Sequence, residues 1–303
     1  MKKRGNYKFF DKFSYYIPGV GGMFALLALL LVGALMGSLL VMLLGLAFGQ
    51  DFVTGYSNLI SYPVMFIPPM IYASMRSNAN SMNKNGRKLD NNHFAPVGAV
   101  MCAILAAAGT LATGFWSDGL VSLLPEMPPM LKSALEGLTS GNFWLNFITV
   151  SIFAPLFEEW LCRGMILRGL LTGARIKPAW AIVISAVFFA LIHFNPWQAI
   201  PAFIIGCLLG YVYYRTGSIK LTMLMHFTNN TFALVCGHID ALKEMDSWMD
   251  FMPAAQYTVT ASACFLLTIL VALSFRKVHL EQAEGNIDAV PSIFETDEKQ
   301  ILH

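Results

Sequence analysis

Phe157-Glu158-Glu159-Trp160-Leu161-Cys162-Arg163 ends an uncharged run that begins at Leu138. Two adjacent carboxylates and a guanidinium stand here where charge is expensive. An ionisable group inside a membrane helix costs roughly 3 kcal/mol or more unless it faces a polar interior, so the stretch reads as a functional site in need of partners. The side chains elsewhere in the chain that can answer it are His193, His226 and Asn230.

Composition supports a membrane setting for that run. Hydrophobic residues make up 56% of the 303-residue chain and charged residues only 13%, against roughly 25% charge in a soluble domain. Mean hydropathy is +0.58. Apolar stretches recur at Gly19–Gly49, about Leu59–Met75, Pro96–Phe115, Asn142–Leu171, Pro178–His193, Pro196–Arg215, Ile219–Gly237 and Met252–Phe275. The expected fold is therefore all-α, a polytopic transmembrane bundle of about eight helices. The first run exceeds the about 7–15 apolar residues of a cleavable signal and is expected to stay as a span. Pro63, Pro68 and Pro69 predict a kinked second span.

The domain reading follows. Residues 1–18 form a cytoplasmic N-terminal segment, 19–276 the bundle with its chemical core at 142–237, and 277–303 a polar cytoplasmic tail. With the N-terminus inside, every Lys and Arg except Lys132 and Lys243 falls on the cytoplasmic side or at helix ends facing it. This predicts a multi-pass protein of the cell membrane with both termini cytoplasmic. The net charge of +2 and its scattered basic residues give no nucleic-acid footprint. Cys102, Cys162, Cys207, Cys236 and Cys264 form no CxxC pair and read as small buried hydrophobes. Gly33xxxGly37 and Gly206xxxGly210 mark close helix packing.

Depth and phase organise the polar groups. At about 1.5 Å per residue, Glu158 lies roughly 20 Å, His193 roughly 22 Å and His226 roughly 14 Å from the cytoplasmic ends of their helices, one shared layer. Glu159 and Arg163 are four apart and share a helix face, whereas Glu158 points about 100° away and is the freer carboxylate. Phe189 and His193 repeat the i, i+4 spacing, as do His226 and Asn230. A glutamate with a histidine can polarise water for attack on a carbonyl, and a second histidine with an asparagine can donate to the developing oxyanion.

Each group also has a plainer reading. Glu159–Arg163 is more often a structural ion pair than chemistry. His193, just before the turn signal Asn195-Pro196, can cap a helix end. His226 and Asn230 can serve as interhelical hydrogen-bond glue. The sequon Asn229-Asn230-Thr231 lies inside a span and carries no glycosylation reading. It is the gathering of these groups on consecutive helices at one depth that points to a hydrolase.

Glu158-Glu159-x-x-x-Arg163, Phe189-x-x-x-His193 and His226-x-x-x-Asn230, in that order, resemble the three motifs of the CAAX prenyl protease and bacteriocin-processing (CPBP, or Abi) family of intramembrane proteases. The resemblance covers about Asn142 to Gly237, and its wording is similar to the bacterial branch. It implies an eight-helix endopeptidase whose cavity is reached from the cytoplasmic face. Glu158 would be the general base acting with His193, His226 with Asn230 would form the oxyanion site, and Glu159, Arg163 and Phe189 would support the motif helices. The implied partners are the lipid bilayer and a protein or peptide substrate, lipidated or not, processed in CAAX-type or bacteriocin maturation or self-immunity.

The first motif is not the His-Glu-x-x-His zinc signature. Glu158, His193 and His226 nonetheless compose a His₂Glu set for Zn²⁺ with water in the fourth position. A metal-free glutamate mechanism uses the same residues and is preferred, with no cofactor certain. Two competing functions remain at this level. A proton-coupled transporter also buries Glu and His, but predicts repeated halves with broken helices that the sequence does not display. A catalytically silent scaffold or immunity protein would keep the fold and dispense with the chemistry.

Overall fold

The computed structural model describes residues 9–83, 86–133, 141–174, 176–242 and 247–278. Among them eight long helices form one all-α bundle: α1 (Val20–Phe48), α2 (Gln50–Asn80), α3 (Ala99–Val121), α4 (Phe143–Thr172), α5 (Pro178–Leu191), α6 (Pro196–Thr216), α7 (Ile219–Cys236) and α8 (Ala254–Phe275). Five of these, α1, α3, α4, α6 and α8, are long and apolar enough to cross a membrane by themselves, and α5 is apolar but shorter. The other two, α2 and α7, carry much of the polar content that the site uses.

Several boundaries differ from the apolar runs, each for a local reason. Helix α2 continues to Asn80, well past Met75, because its polar end is used: Ser77 Oγ accepts from Tyr15 N at 3.1 Å, and Asn80 Nδ2 donates to Tyr15 O at 3.2 Å. Helix α3 runs on to Val121, where Asp118 accepts from Ser247 Oγ at 2.6 Å and Trp248 N at 3.0 Å. Helix α5 stops at Leu191, leaving His193 in the turn beyond it instead of on the helix. Pro63, Pro68 and Pro69 all lie inside α2, which runs through them as one helix. Most of the expected polar tail lies outside the described residues.

Glycine sets the tightest helix pair. A Cβ built at Gly33 of α1 would stand 2.1 Å from Met65 O of α2, and one at Gly37 2.9 Å from Ser61 O. The backbones approach as the small-xxx-small spacing predicts. Substituting Gly33→Leu must push α1 off α2, and overpacking of this kind costs about 1–3 kcal/mol. The expected result is a clearly lowered midpoint of thermal unfolding in detergent; an unchanged midpoint would mean the pair is not packed this closely.

One end of the bundle is tied by an arginine. Arg168 on α4 is fully buried. Its guanidinium donates to the carbonyls of Gly164 (2.7 Å), Arg87 (2.6 Å), Ser14 (3.4 Å), Phe13 (3.3 Å) and Tyr16. The N-terminal segment thereby packs against the core, with Phe13 fully buried in a cluster that includes Phe66, Trp160 and Leu161. The connection from α2 to α3 closes the same end, through Asn91 N to Gly217 O (2.8 Å) and His93 N to Thr216 O (2.9 Å). Residues that read as featureless flanks thus hold the motif helix in place.

Candidate active site

Helix α4 is not uniformly wound. Wider π turns occupy Phe147–Phe153, Trp160–Leu167 and Gly169–Gly173, and the two glutamates end the α-helical piece Ala154–Glu159 between them. Pro155, which has no N–H to donate, stands in the first turn of that piece. π turns inside helices are rare and concentrate at functional sites. Here they set the register from which Glu158 and Glu159 leave the helix in different directions.

Glu159 and Arg163, both fully buried, form an ion pair at 2.7 Å, as their spacing predicts. The pair is part of a larger arrangement. The same Glu159 Oε1 lies 3.0 Å from His226 Nδ1 of α7. Arg163 Nη2 donates to Gly206 O of α6 at 3.0 Å, and its guanidinium carbon sits 4.5 Å from the ring centre of Phe189 of α5. A Cβ at Gly206 would press to 3.2 Å on Ala186 and Phe189, so α6 approaches α5 closely at this point. One ion pair therefore joins four helices, and buried charges compensated in this way avoid the desolvation cost of an isolated one.

Phe189 links the two histidines. Its ring meets His193 edge-on at 5.0 Å and His226 edge-on at 5.3 Å, between centroids. His193 Nδ1 lies 2.8 Å from Phe189 O. A carbonyl accepts only, so Nδ1 carries the proton and Nε2 of neutral His193 keeps its lone pair. The next residue, Phe194, has φ of 51°. A bulky side chain in the left-handed region is strained, and such strain persists where the surroundings fix a residue's geometry. Asn195 then caps α6 by accepting from Trp197 N at 3.0 Å, so the turn signal is met.

The same logic applies to His226. Its Nδ1–H faces the Glu159 carboxylate, leaving Nε2 as the free nitrogen. Asn230, one turn on, donates through Nδ2 to Val150 O of α4 at 2.9 Å and accepts from Asn229 Nδ2 at 3.2 Å. An amide nitrogen has two hydrogens, so one remains to donate elsewhere.

Glu158 is only 9% exposed, and its two oxygens differ. Oε1 accepts from the hydroxyl of Tyr62 on α2, whereas Oε2 is buried and finds no hydrogen-bond partner among the described residues. Glu159 Oε2 and Arg163 Nε are likewise unpartnered. Tyr62 is the residue that the sequence pattern did not single out, and so is the contact of Glu159 with His226. Nothing in α2's sequence distinguishes Tyr62 from the aromatic residues around it.

For a metal, the donor set is the test. Among the described residues no three His, Cys, Asp or Glu side chains are gathered so as to hold an ion. The contacts of Glu158 Oε1 with Tyr62 and of His226 Nδ1 with Glu159 leave Oε2 and Nε2 uncommitted, but the Glu158, His193 and His226 donors are not gathered about one point. No step below is routed through a metal.

Residues 140–232 match the family described as type II CAAX prenyl endopeptidase Rce1-like. No curated protein and no solved structure matches the chain. The matched segment, about a third of the chain, is similar to the Rce1-like type II CAAX prenyl endopeptidases and contains Glu158, Glu159, Arg163, Phe189, His193, His226 and Asn230.

Proposed function

We propose that the protein hydrolyses a peptide bond in a membrane-associated protein or peptide, with Glu158 as the base. The observation that carries this reading is the asymmetry of Glu158: one oxygen is held by Tyr62, and the other is buried and unpartnered. In this mechanism Glu158 Oε2 takes a proton from a water held by the lone pair of His193 Nε2. The water oxygen attacks the scissile carbonyl, and the developing oxyanion accepts from Asn230 and from His226, whose donation at Nε2 requires the imidazolium that Glu159 faces. Collapse breaks the C–N bond, and the proton on Glu158 goes to the departing amine. The bilayer presents the substrate, which in this reading includes lipidated chain ends.

Cleavage of internally quenched membrane peptides, prenylated and unprenylated, by wild type, Glu158→Ala and His193→Ala tests the assignment. Both variants are expected to lose activity, His193→Ala by about 10²-fold or more. A chelator is expected to leave wild-type cleavage unchanged within about two-fold; its abolition, restored by Zn²⁺, would replace the metal-free scheme. Equal cleavage by all three proteins would remove Glu158 and His193 from the mechanism.

A further inference from the structure

Tyr62 comes from α2, outside the segment that matches the family, yet its hydroxyl meets Oε1 of Glu158. Its ring packs against the aromatic seam beside the contact. Tyr62 lies 5.6 Å from Phe66, which is fully buried and stacked at 5.1 Å on Phe157, the residue before Glu158. The phenol is thus fixed relative to the motif helix, and its donor is aimed at one carboxylate oxygen only.

The neighbouring carboxylate, Glu159, holds the cation. Arg163 gives Nη1 to Glu159 and Nη2 to Gly206 O, but its buried Nε is unpartnered. The charged and titratable groups on the elements about Glu158 are Tyr62 of α2 and Glu159, Cys162 and Arg163 of α4. Of these, Tyr62 is the hydrogen-bond donor that Glu158 has among the described residues. A neutral donor holds Oε1 without neutralising the carboxylate, which a base requires.

Toward the first turn of α2 the same seam turns polar. Thr54, Ser57 and Asn58 of α2 face Asn142, Asn146 and Thr149 of α4 around a cavity of about 190 Å³, and Asn58 lies one turn from Tyr62. At about 30 Å³ of liquid volume per molecule, that space suits several waters with neutral polar partners. In the other direction the seam is filled by Phe66, Phe157, Phe13 and Trp160.

We infer that Tyr62 is a positioning residue for the hydrolytic base: its hydroxyl fixes Glu158 Oε1, so that Oε2 alone is presented to water. This rests on the proposed role of Glu158. The substitution Tyr62→Phe removes the donor and keeps the ring. The expected result is a fall in kcat of roughly 10-fold to 100-fold, with KM within about two-fold and a lowered but still cooperative unfolding transition, because buried Oε1 loses its donor. Wild-type kcat in Tyr62→Phe, or a loss confined to KM, overturns the inference.

Failure of the protease reading is read separately. In 3-fluorotyrosine introduced at position 62, the ¹⁹F resonance reports the phenol's partner without any substrate. It is expected to move on Glu158→Gln and to stay in place on His193→Ala. A resonance indifferent to Glu158→Gln overturns the contact and the inference with it, whatever the peptides do. A responsive resonance with Glu158→Gln still cleaving at the wild-type rate removes the base from the mechanism, and the positioning role falls with it.

Discussion

Glu158→Gln folds as the wild type does and loses peptide hydrolysis by about 10³-fold or more, the scale set by removing a general base together with its orientation of water. The amide has the shape of the carboxylate and keeps an oxygen for the Tyr62 hydroxyl, so the aromatic seam of Phe66 and Phe157 has no cause to move. What it loses is the proton acceptor at Oε2, the atom with no hydrogen-bond partner among the described residues. Because the wild type buries a carboxylate that is only 9% exposed and has one hydrogen-bond donor, neutralising it should hold or raise the unfolding midpoint. A stable, inactive Glu158→Gln is the signature of a group retained for chemistry. Glu158→Asp separates the contributions further: it restores the charge but withdraws the oxygens by about one bond length, and a misplacement of about 1 Å costs on the order of 10²-fold. Rates measured on one peptide at saturating concentration decide the matter. Wild-type cleavage by Glu158→Gln would place the base elsewhere, and a lowered midpoint would make Glu158 a structural group.

Much of this arrangement could be read from spacing alone. Glu159 and Arg163 are paired because i, i+4 neighbours on a helix meet. Gly33 and Gly37 lie against α2 because only hydrogen fits there, whereas Phe189 meets His193 although His193 lies in the turn beyond α5. These are local rules, acting within one element or fixing one close approach. The partners that were not legible all come from distant segments. Tyr62 reaches Glu158 across the contact of α2 with α4, His226 reaches Glu159 across that of α7 with α4, and Arg168 collects the carbonyls of Phe13, Ser14, Tyr16 and Arg87. Hydrogen bonds to backbone carbonyls leave no mark on the identity of the accepting residue. The π turns of α4 were also invisible, because a helical pattern read at 3.6 residues per turn assumes the winding that those turns change. His193 was placed on the wrong side of a boundary for a related reason: the apolar run continues past Leu191, while the helix ends there in favour of a turn.

Arg163→Met leaves Glu159 buried with no cation but a protonated His226 to face, and breaking a buried pair by removing one member costs about 3–5 kcal/mol. The expected result is a marked fall in folded yield from membranes and in the unfolding midpoint. Glu159→Gln alone strands the guanidinium with Gly206 O and the face of Phe189, at a similar cost. The double variant Glu159→Gln/Arg163→Met removes both charges, and replacing a buried pair with neutral groups of similar volume is often neutral for stability. Its midpoint should therefore return close to that of the wild type. Cleavage should not return with it. Glu159 Oε1 also faces His226 Nδ1 at 3.0 Å, and its carboxylate charge orients the imidazole that donates to the oxyanion. The double variant is accordingly expected to fold and to cleave roughly 10-fold or more slowly, with the loss in kcat. Full recovery of both stability and cleavage would make Glu159–Arg163 a structural clamp and nothing more. Recovery of stability alone ties the second carboxylate of the diacid to the oxyanion side of the reaction, while the first serves the water. Adjacent glutamates then do different work because α4 sends them to different helices: Glu158 to Tyr62 of α2, and Glu159 to Arg163 and through it to α5 and α6, as well as to His226 of α7.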